Sequence, residues 1–171
     1  MRLVKNIVLS LLAFIVAFVV FMPREQLYYY LEKELNKQDI VISNEKIESK
    51  LGSLIVTNGV VYAKGVEVAR FSKAKISPFL VINQAVIEDI ELLNIAKKFL
   101  DIDIEKLKAK HTILNPFIIN LDANGSFGVA KGFVNLKQRV IHIDIVEAKN
   151  IAPLRRFLTK GEKGWQYESS F

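Results

Sequence analysis

An uninterrupted apolar segment near the N-terminus constrains this chain more than any other feature. From Ile7 to Met22 every residue except Ser10 is apolar, and Arg2 and Lys5 precede the run. At ~1.5 Å per helical residue the run covers about 24 Å, against ~30 Å for the hydrocarbon core of a bilayer. Residues 3 and 4 add apolar length, and the lysine ammonium can reach the interface. The segment is therefore long enough to span a membrane as one helix.

The residues that follow this run favour a retained anchor over a cleaved signal peptide. A cleavable signal ends in small residues, whereas residues 18–22 are bulky and Pro23 comes next. The chain has no cysteine, so it also lacks a lipoprotein cleavage motif. The sequence predicts a transmembrane signal anchor over residues 1–23; a cleaved signal and a buried core helix are the alternatives. The side chains expected to contact lipid are Ile7, Leu11, Phe14, Phe18 and Phe21.

The charges around the anchor predict its orientation. Arg2, Lys5 and the amino terminus precede it, whereas Arg24 on the other side is followed at once by Glu25. The more positive side of a span stays cytoplasmic, so the remainder of the chain is expected outside. In a Gram-negative cell this is a single-pass inner-membrane protein with its C-terminal domain in the periplasm. The absence of cysteine is compatible with that compartment.

Residues 24–37 are predicted to form an amphipathic helix next to the membrane. Leu27, Leu31 and Leu35 recur at four-residue spacing, with charged residues around them. The three tyrosines 28–30 fall at the depth where aromatic rings with a polar tip are favoured. They could equally pack the helix onto the following domain, and the sequence leaves this choice open.

Residues 38–158 have the period of β-strands and are predicted to form one β domain. The clearest strand is Arg139–Glu147, in which Ile141, Ile143 and Ile145 point to one face. Hairpin turns are expected at two dipeptides with turn chemistry, Asn58-Gly59 and Lys64-Gly65. A short helical turn is expected at Pro78–Ile82, and residues 159–171 are interpreted as a flexible tail.

Alternation within the strands favours an antiparallel sheet with one covered face over a doubly wound parallel sheet. The apolar positions after Glu105 are one residue out of step, which predicts a bulge near Glu105–Lys106. Gly128 and Gly132 indicate bends or a close backbone approach. The predicted fold is mainly β with an N-terminal transmembrane helix. Its curved antiparallel sheet, taco-like or an open roll, is flanked by short helices.

A sheet that curls without closing has an apolar trough that would accept acyl chains. The residues expected to line such a lipid groove are Ile102, Ile104, Ile141, Ile143 and Ile145. A basic C-terminal patch is either a lipid headgroup site or a solvated surface. It consists of Lys149, Arg155, Arg156 and Lys160. The net charge of +6 falls to +4 without Arg2 and Lys5 and is spread along the chain, so nucleic acid is not an expected partner.

Residues with catalytic or metal-binding chemistry are few. His142 and Asp144 share a strand face, and Asp101, Asp103 and Glu105 alternate along another strand, but a solvated strand face accounts for both patterns. No phosphate loop, dinucleotide motif or nucleophile elbow occurs. The sequence therefore predicts a non-enzymatic protein with no catalytic residues, cofactor or metal site.

The order of these features resembles a known family. The anchor is followed by Pro23-x-Glu25-x-Leu27, by Leu51-Gly52-x-Leu54-x-Val56-x-Asn58-x-Val60, and by a strand that runs into Ser77-Pro78-Phe79-Leu80. A glycine-spaced strand over 125–132 then precedes the final alternating strand. This pattern is similar to the type II secretion system protein N family and, more loosely, to the periplasmic β domain of AsmA-like envelope proteins.

The resemblance implies an inner-membrane protein with a curved periplasmic β domain. Relatives of this kind are associated with building secretion machinery, or with lipid traffic and outer-membrane assembly. The expected function is envelope or secretion-machinery assembly with protein partners at the bilayer. The alternative is lipid binding and transfer between membranes through the apolar groove.

Overall fold

A computed structural model describes Ser10 and residues 23–79, 81–161 and 164–171 of the chain. Most of the predicted anchor, including Ile7, Leu11, Phe14, Phe18 and Phe21, lies outside the described residues. Within those ranges, no helix has both the length and the apolar character needed to cross a bilayer.

The described chain is mainly β and forms one open, antiparallel, 11-stranded sheet. Two short helices, α1 (Arg24–Asn36) and α2 (Asn94–Phe99), and one 3-10 turn (Ala152–Leu154) accompany it. The strands are β1 (Ile40–Ser43), β2 (Lys46–Lys50), β3 (Ser53–Ala63), β4 (Val66–Pro78), β5 (Ile82–Leu92), β6 (Asp103–Thr112), β7 (Asn115–Gly125), β8 (Gly128–Asn135), β9 (Val140–Ala148), β10 (Thr159–Gly161) and β11 (Gly164–Ser170). The prediction of an antiparallel, mainly β fold with short helices is confirmed.

The strands follow one another across the sheet as a meander with two free edges. β1 and β2 both pair with β3, β1 with its second half and β2 with its first. They thus form one interrupted edge strand. At the other edge β11 pairs with β9, and the three-residue β10 lies outside β11. Successive connections therefore alternate between the two ends of the sheet.

The C-terminal end of the chain differs from the sequence-based expectation. Residues 159–171 are interpreted from the sequence as a flexible tail, yet β10 and β11 belong to the sheet. The reason is that β11 pairs with β9 over five residues, while Trp165 packs against a buried cluster. Glycines and serines in the segment concealed this alternation of aromatic residues.

The two faces of the sheet differ in chemistry. Residues directly opposed in an antiparallel sheet share a face. One such row across β3–β9 consists of Val56, Ala74, Ile87, Leu107, Ala123, Ala130 and Ile145. A row on the opposite face consists of Lys75, Val86, Lys108, Asp122, Lys131, Asp144 and Gln166. We call these the apolar face and the polar face.

A line of irregular positions crosses β3–β6 and corrects one predicted turn. Asn58, Ser72, Asp89 and Glu105 are skipped by the ladder of paired residues, and Asn58 and Asp89 have φ of 59° and 54°. The prediction of a hairpin turn at Asn58-Gly59 was therefore wrong, because strands on both sides of β3 keep it extended. The positive φ at Asn58 interrupts the pairing of β3 with β4 at one position, and the register is the same on both sides of it.

Other predicted details of the backbone agree with the structure. The register of the pairing between β6 and β7 shifts between Ile104 and Lys106, which confirms the predicted bulge. Lys64 and Gly65 both have positive φ and connect β3 to β4, as predicted for a tight hairpin. The short helical turn expected at Pro78–Ile82 was wrong, because Pro78 ends β4 and Ile82 begins β5.

Two buried clusters cover opposite parts of the apolar face. The first contains Tyr28 of α1 with Leu54, Val56, Phe71 and Ala74. The second contains Ile102, Phe127, Ala130 and Ile145. Between them the apolar face is only half-buried at positions such as Ala85 and Ala109. The apolar face therefore has a covered region at each side and a less covered region in the middle.

Helix α1 buries a different face from the one that its leucine spacing predicts. Tyr28 is buried against the sheet and donates a hydrogen bond to Glu45 Oε1 at 3.2 Å, whereas Leu27, Tyr30 and Leu31 are exposed. The aromatic ring offers a large apolar surface and a polar tip that finds a partner, which favours its burial. The open choice for the tyrosines is thus resolved for Tyr28, which packs onto the β domain.

Truncating Leu54 should destabilise the domain far more than truncating an exposed leucine. Leu54 is 2% exposed, whereas Leu114 is 89% exposed. We expect Leu54→Ala to lower the free energy of unfolding by about 2–5 kcal/mol, because it leaves a cavity in the first cluster. Leu114→Ala should change it by about 0.5 kcal/mol or less. Urea unfolding of the full chain checks both values, and equal effects would contradict this description of the core.

Because of Tyr28, the stability of the β domain should depend on pH in the alkaline range. Burial, and secondly the Glu45 carboxylate, raise the pKa of the Tyr28 phenol above its ordinary value. The folded state therefore prefers the neutral phenol, and stability is lost as pH rises above about 10, where the unfolded phenol ionises. The loss should approach about 1.4 kcal/mol per pH unit for this one group. Tyr28→Phe should lack this component, so matching pH profiles of the two proteins would contradict the assignment.

Candidate apolar groove

An elongated cavity of about 410 Å³ lies on the apolar face beside the second cluster. This volume is within the range of ~300–1,000 Å³ typical of small-molecule sites. Ten residues of the sheet form its floor: Ile104, Leu107, Leu121, Ala123, Ala130, Lys131, Gly132, Ile143, Ile145 and Tyr167. We call this cavity the apolar groove.

The side of the groove away from the sheet comes from connecting segments. The contributing residues are Leu100, Ile102, Phe127, Leu154, Phe157 and Leu158. Leu154 belongs to the 3-10 turn between β9 and β10, whose Pro153 fixes the backbone at the start of the turn. Phe127 is buried between β7 and β8. Three connections at one end of the sheet, β5–β6, β7–β8 and β9–β10, thus fold over the same part of its apolar face.

Four of the five isoleucines predicted to line a groove do so. Ile102, Ile104, Ile143 and Ile145 line it. Ile141 does not, although it shares the apolar face with Ile143 and Ile145. Ile141 pairs with Val134 and Ser169 and lies two residues before Ile143 on β9. It is therefore beyond the part of the apolar face that the connecting segments cover. The alternation of β9 predicted the face, but it could not predict where the cover ends.

Several groove residues escaped the sequence analysis. Phe127 lies between two strands that the sequence separates by glycines, and Phe157 and Leu158 lie in a segment with no strand period. Tyr167 lies in the segment interpreted as a tail. The available signal was the apolar character of residues 151–158, but periodicity does not tell which surface such a segment covers.

Glycines allow the strands beneath the groove to approach closely. A Cβ at Gly132 would collide with the carbonyl oxygen of His142 on β9, and one at Gly125 with that of Asp103 on β6. Gly128 has a φ of 108°, and a Cβ there would collide with the carbonyl oxygen of Glu147. The predicted close backbone approach at Gly128 and Gly132 is confirmed.

The predicted basic patch lies at the end of the sheet where the groove is covered. The Arg155 guanidinium lies 5.6 Å from the centre of the Trp165 ring, and that of Arg156 lies 4.7 Å from the Phe157 ring. Both arginines are exposed, as are Lys149 and Lys160. The two arginines are carried by the segment that supplies Leu154, Phe157 and Leu158 to the groove, so positive charge lies next to apolar lining.

His142 makes contacts on the polar face, away from the groove. Its Nε2 lies 3.2 Å from Asp144 Oδ2 and its Nδ1 lies 3.2 Å from Glu168 Oε2. The Phe133 ring stacks on it with the ring centres 5.4 Å apart. None of these residues lines the groove. The arrangement can hold an imidazole in place between two carboxylates, which accounts for the His142 and Asp144 pattern in the sequence.

A second, polar concavity of about 950 Å³ follows the line of irregular positions. It is lined by side chains of both charges, among them Arg70, Asp89, Lys97 and Glu105. Ser72 donates a hydrogen bond to Asp89 Oδ2 at 2.6 Å, and Asn124 Nδ2 donates one to Glu105 Oε2 at 3.1 Å. In the part of the chain that the structure describes, no group of three or more His, Asp and Glu side chains could hold a metal ion.

Comparison with known proteins gave no relative. No protein-family model, curated protein or solved structure matches this chain. The resemblance to secretion and AsmA-like proteins therefore stays a prediction, and the groove is the feature from which function can be argued.

Proposed function

We propose that this protein binds the hydrocarbon chain of a membrane lipid in the apolar groove of its β domain. The observation that carries the proposal is the lining of the groove, where apolar side chains of the sheet and of three connections converge on about 410 Å³. An apolar ligand gains free energy by leaving water for such a site. Apart from Lys131 and Tyr167, the side chains of the lining have no hydrogen-bonding group, which favours methylene chains over polar ligands.

Positive charge beside the groove suits a lipid with an anionic headgroup. Arg155 and Arg156 lie on the segment that covers the groove, and both are exposed. A guanidinium binds phosphate through two hydrogen bonds at once. On this proposal the acyl chain occupies the groove while the headgroup phosphate lies at the two arginines.

The proposed setting is the outer side of an inner membrane. Residues 1–23 would hold the protein as a single-pass anchor, with the sheet curved around the groove in the periplasm. Register shifts in β3, between Val61 and Tyr62, and in β6, between Ile104 and Lys106, support curvature, because bulges bend a strand and increase its twist. The protein would then take part in lipid transfer during envelope assembly, as the resemblance to type II secretion N and AsmA-like proteins implies.

Photo-crosslinking in a bilayer tests the proposal with the full chain. A phospholipid with a diazirine near the end of its acyl chain is activated, and adducts are mapped by mass spectrometry. We expect adducts at residues that line the groove, namely Ile143, Ile145, Leu154, Phe157 and Leu158. Adducts in residues 1–23 serve as an internal control for insertion. Labelling of residues 1–23 without labelling of the groove would refute lipid binding by the β domain.

A second candidate function, assembly with an envelope protein, is favoured by the outer face of α1. Leu27, Tyr30 and Leu31 are exposed at i, i+3 and i+4 spacing, as expected of a helix that packs against a partner. The free sheet edges support it less, since edge strand β2 is mostly exposed and carries Lys46, Glu48 and Lys50. Loss of a co-purifying protein on Leu31→Lys, with groove crosslinking unchanged, would favour this candidate.

A further inference from the structure

Exposed apolar side chains are concentrated at the connections of one end of the sheet. These connections join β2 to β3, β4 to β5, β6 to β7 and β8 to β9, and Phe171 follows β11 at the same end. The exposed side chains are Leu51, Phe79, Val81, Leu114, Leu136 and Phe171. Leu51 is 79% exposed and Leu114 is 89% exposed. We call this set the apolar rim.

The rim lies at one end because the meander alternates. Leu51 is in the turn where Lys50 pairs with Ser53, and Phe171 donates a backbone hydrogen bond to the Arg139 carbonyl oxygen at 3.0 Å. Hydrophobic residues scattered singly over a surface need no explanation, but a row at successive loop tips indicates an interaction site.

The charge of the rim favours an anionic surface as its partner. By sequence, the connections that carry it contain Lys137 and Arg139 and no Asp or Glu. Lys50 precedes Leu51 directly. The opposite end exposes Phe99 and Phe157 as well and carries the basic patch, but its other connections contain acidic residues, Asp39 and Asp101. Apolar tips together with basic neighbours are typical of protein surfaces that enter a lipid interface.

Helix α1 begins at the rim end of the sheet. Tyr28, near the start of α1, packs against Leu54 and Val56, which follow the Leu51 turn. The end of α1 leads to Asp39, whose carbonyl oxygen accepts a hydrogen bond from Lys64 N at 2.8 Å, at the opposite end. The helix thus runs from the rim end towards the other end, and Pro23, which precedes it, is at the rim end.

The rim is also continuous with the apolar groove. Along β7 the apolar face presents Phe117 and Ile119 before Leu121 and Ala123, which line the groove. On β8, Leu136 donates a backbone hydrogen bond to the Phe117 carbonyl oxygen at 2.8 Å, so it lies beside Phe117 at the rim. An apolar path of about 20 Å, at ~3.3 Å per strand residue, therefore leads from the rim to the groove.

We propose that the apolar rim inserts into the lipid interface of the membrane in which residues 1–22 are anchored. The β domain then contacts the bilayer through its loop tips, and the groove opens along the sheet towards the lipid. This inference rests on the anchor of the proposed function and adds to it a second, non-covalent attachment by the β domain. The partner is an anionic phospholipid surface.

Fluorescence quenching on single-cysteine variants of the full chain tests the rim. The chain has no cysteine, so Leu114→Cys and Lys64→Cys each provide one labelling site, at the rim and at the opposite end. Each carries an environment-sensitive NBD label in vesicles of equal parts phosphatidylcholine and phosphatidylglycerol. We expect nitroxide on the lipid chains to quench the label at 114 about threefold more than at 64, because tips that enter the interface sit within its ~5–10 Å depth. Iodide in solution should quench the two in the reverse order.

The alternative outcomes each overturn the proposal. Equal iodide quenching at both positions means that the rim stays in water. Shielding of position 114 from both quenchers means that a protein, either a partner or a second copy, covers the rim. Extraction by alkaline carbonate distinguishes attachment of the chain by its anchor from attachment by the rim. A chain that leaves the vesicles contradicts the anchor alone, whereas a retained chain with an unquenched rim contradicts only this inference.

Discussion

Replacing Ala123 by phenylalanine should abolish acyl-chain binding in the groove while leaving the fold intact. Ala123 lies in the floor of the groove on β7, between Leu107 and Ala130 in neighbouring strands. A phenyl ring there would occupy much of the 410 Å³ cavity. We expect crosslinking of Ile143, Ile145, Leu154, Phe157 and Leu158 to fall by about tenfold or more, equivalent to at least ~1.4 kcal/mol of lost binding. Adducts in residues 1–23 should keep their yield.

The matched control is Ala85→Phe. Ala85 is half-buried on the same apolar face in β5, pairs with Ala109, and does not line the groove. Its substitution adds the same ring to the same face, so crosslinking in the groove should stay within about twofold of wild type. Equal losses in both variants would mean that the labelled lipid does not sit in the groove.

Replacing Gly132 by valine should destabilise the sheet itself. Gly132 pairs with Leu121 and Ile143 in the strands on either side, and a Cβ would collide with the His142 carbonyl oxygen. The backbone of a paired central strand cannot move away without breaking its hydrogen bonds. We expect a loss of about 3 kcal/mol or more in the free energy of unfolding, at the upper end of overpacking effects. Urea unfolding of the full chain measures it.

Gly65→Asn is the control for glycine replacement as such. Gly65 has a φ of 77°, and a Cβ there would meet no atom within 4 Å. Asparagine tolerates positive φ, so the change should cost about 0.5 kcal/mol or less. A Gly132→Val protein as stable as this control would show that the close approach of β8 to β9 is not needed.

Much of the fold could be predicted because strand alternation reports burial directly. In β9 the isoleucines at 141, 143 and 145 define one face, and the bulge at Glu105 was visible as a single step out of phase. Both signals are local, since each depends on residues of one strand. The same local pattern failed at Asn58, because a positive φ occurs both in a hairpin turn and at an irregular position within a strand, and only the neighbouring strands decide between them.

The groove could be predicted only in part because its cover is not local. Its floor follows from alternation, but Phe127, Leu154 and Phe157 come from connections whose packing depends on the meander as a whole. In particular, β9 pairs with β11 and not with β10, and the periodicity of the sequence does not predict this order. Likewise, only the order of the strands shows that Leu51, Leu114 and Leu136 lie at one end of the sheet.

Contacts between acyl chains and isoleucine methyl groups test the central claim most directly. The full chain, methyl-labelled at isoleucine in phospholipid nanodiscs, should give nuclear Overhauser effects from acyl methylenes to the methyl groups of Ile143 and Ile145. Ile55, which pairs with Glu48 and Lys75 on the polar face, is the internal control and should give none. Lipid binding in the groove would be contradicted if acyl contacts were confined to the isoleucines of residues 1–23 and Ile143 and Ile145, like Ile55, gave no nuclear Overhauser effect.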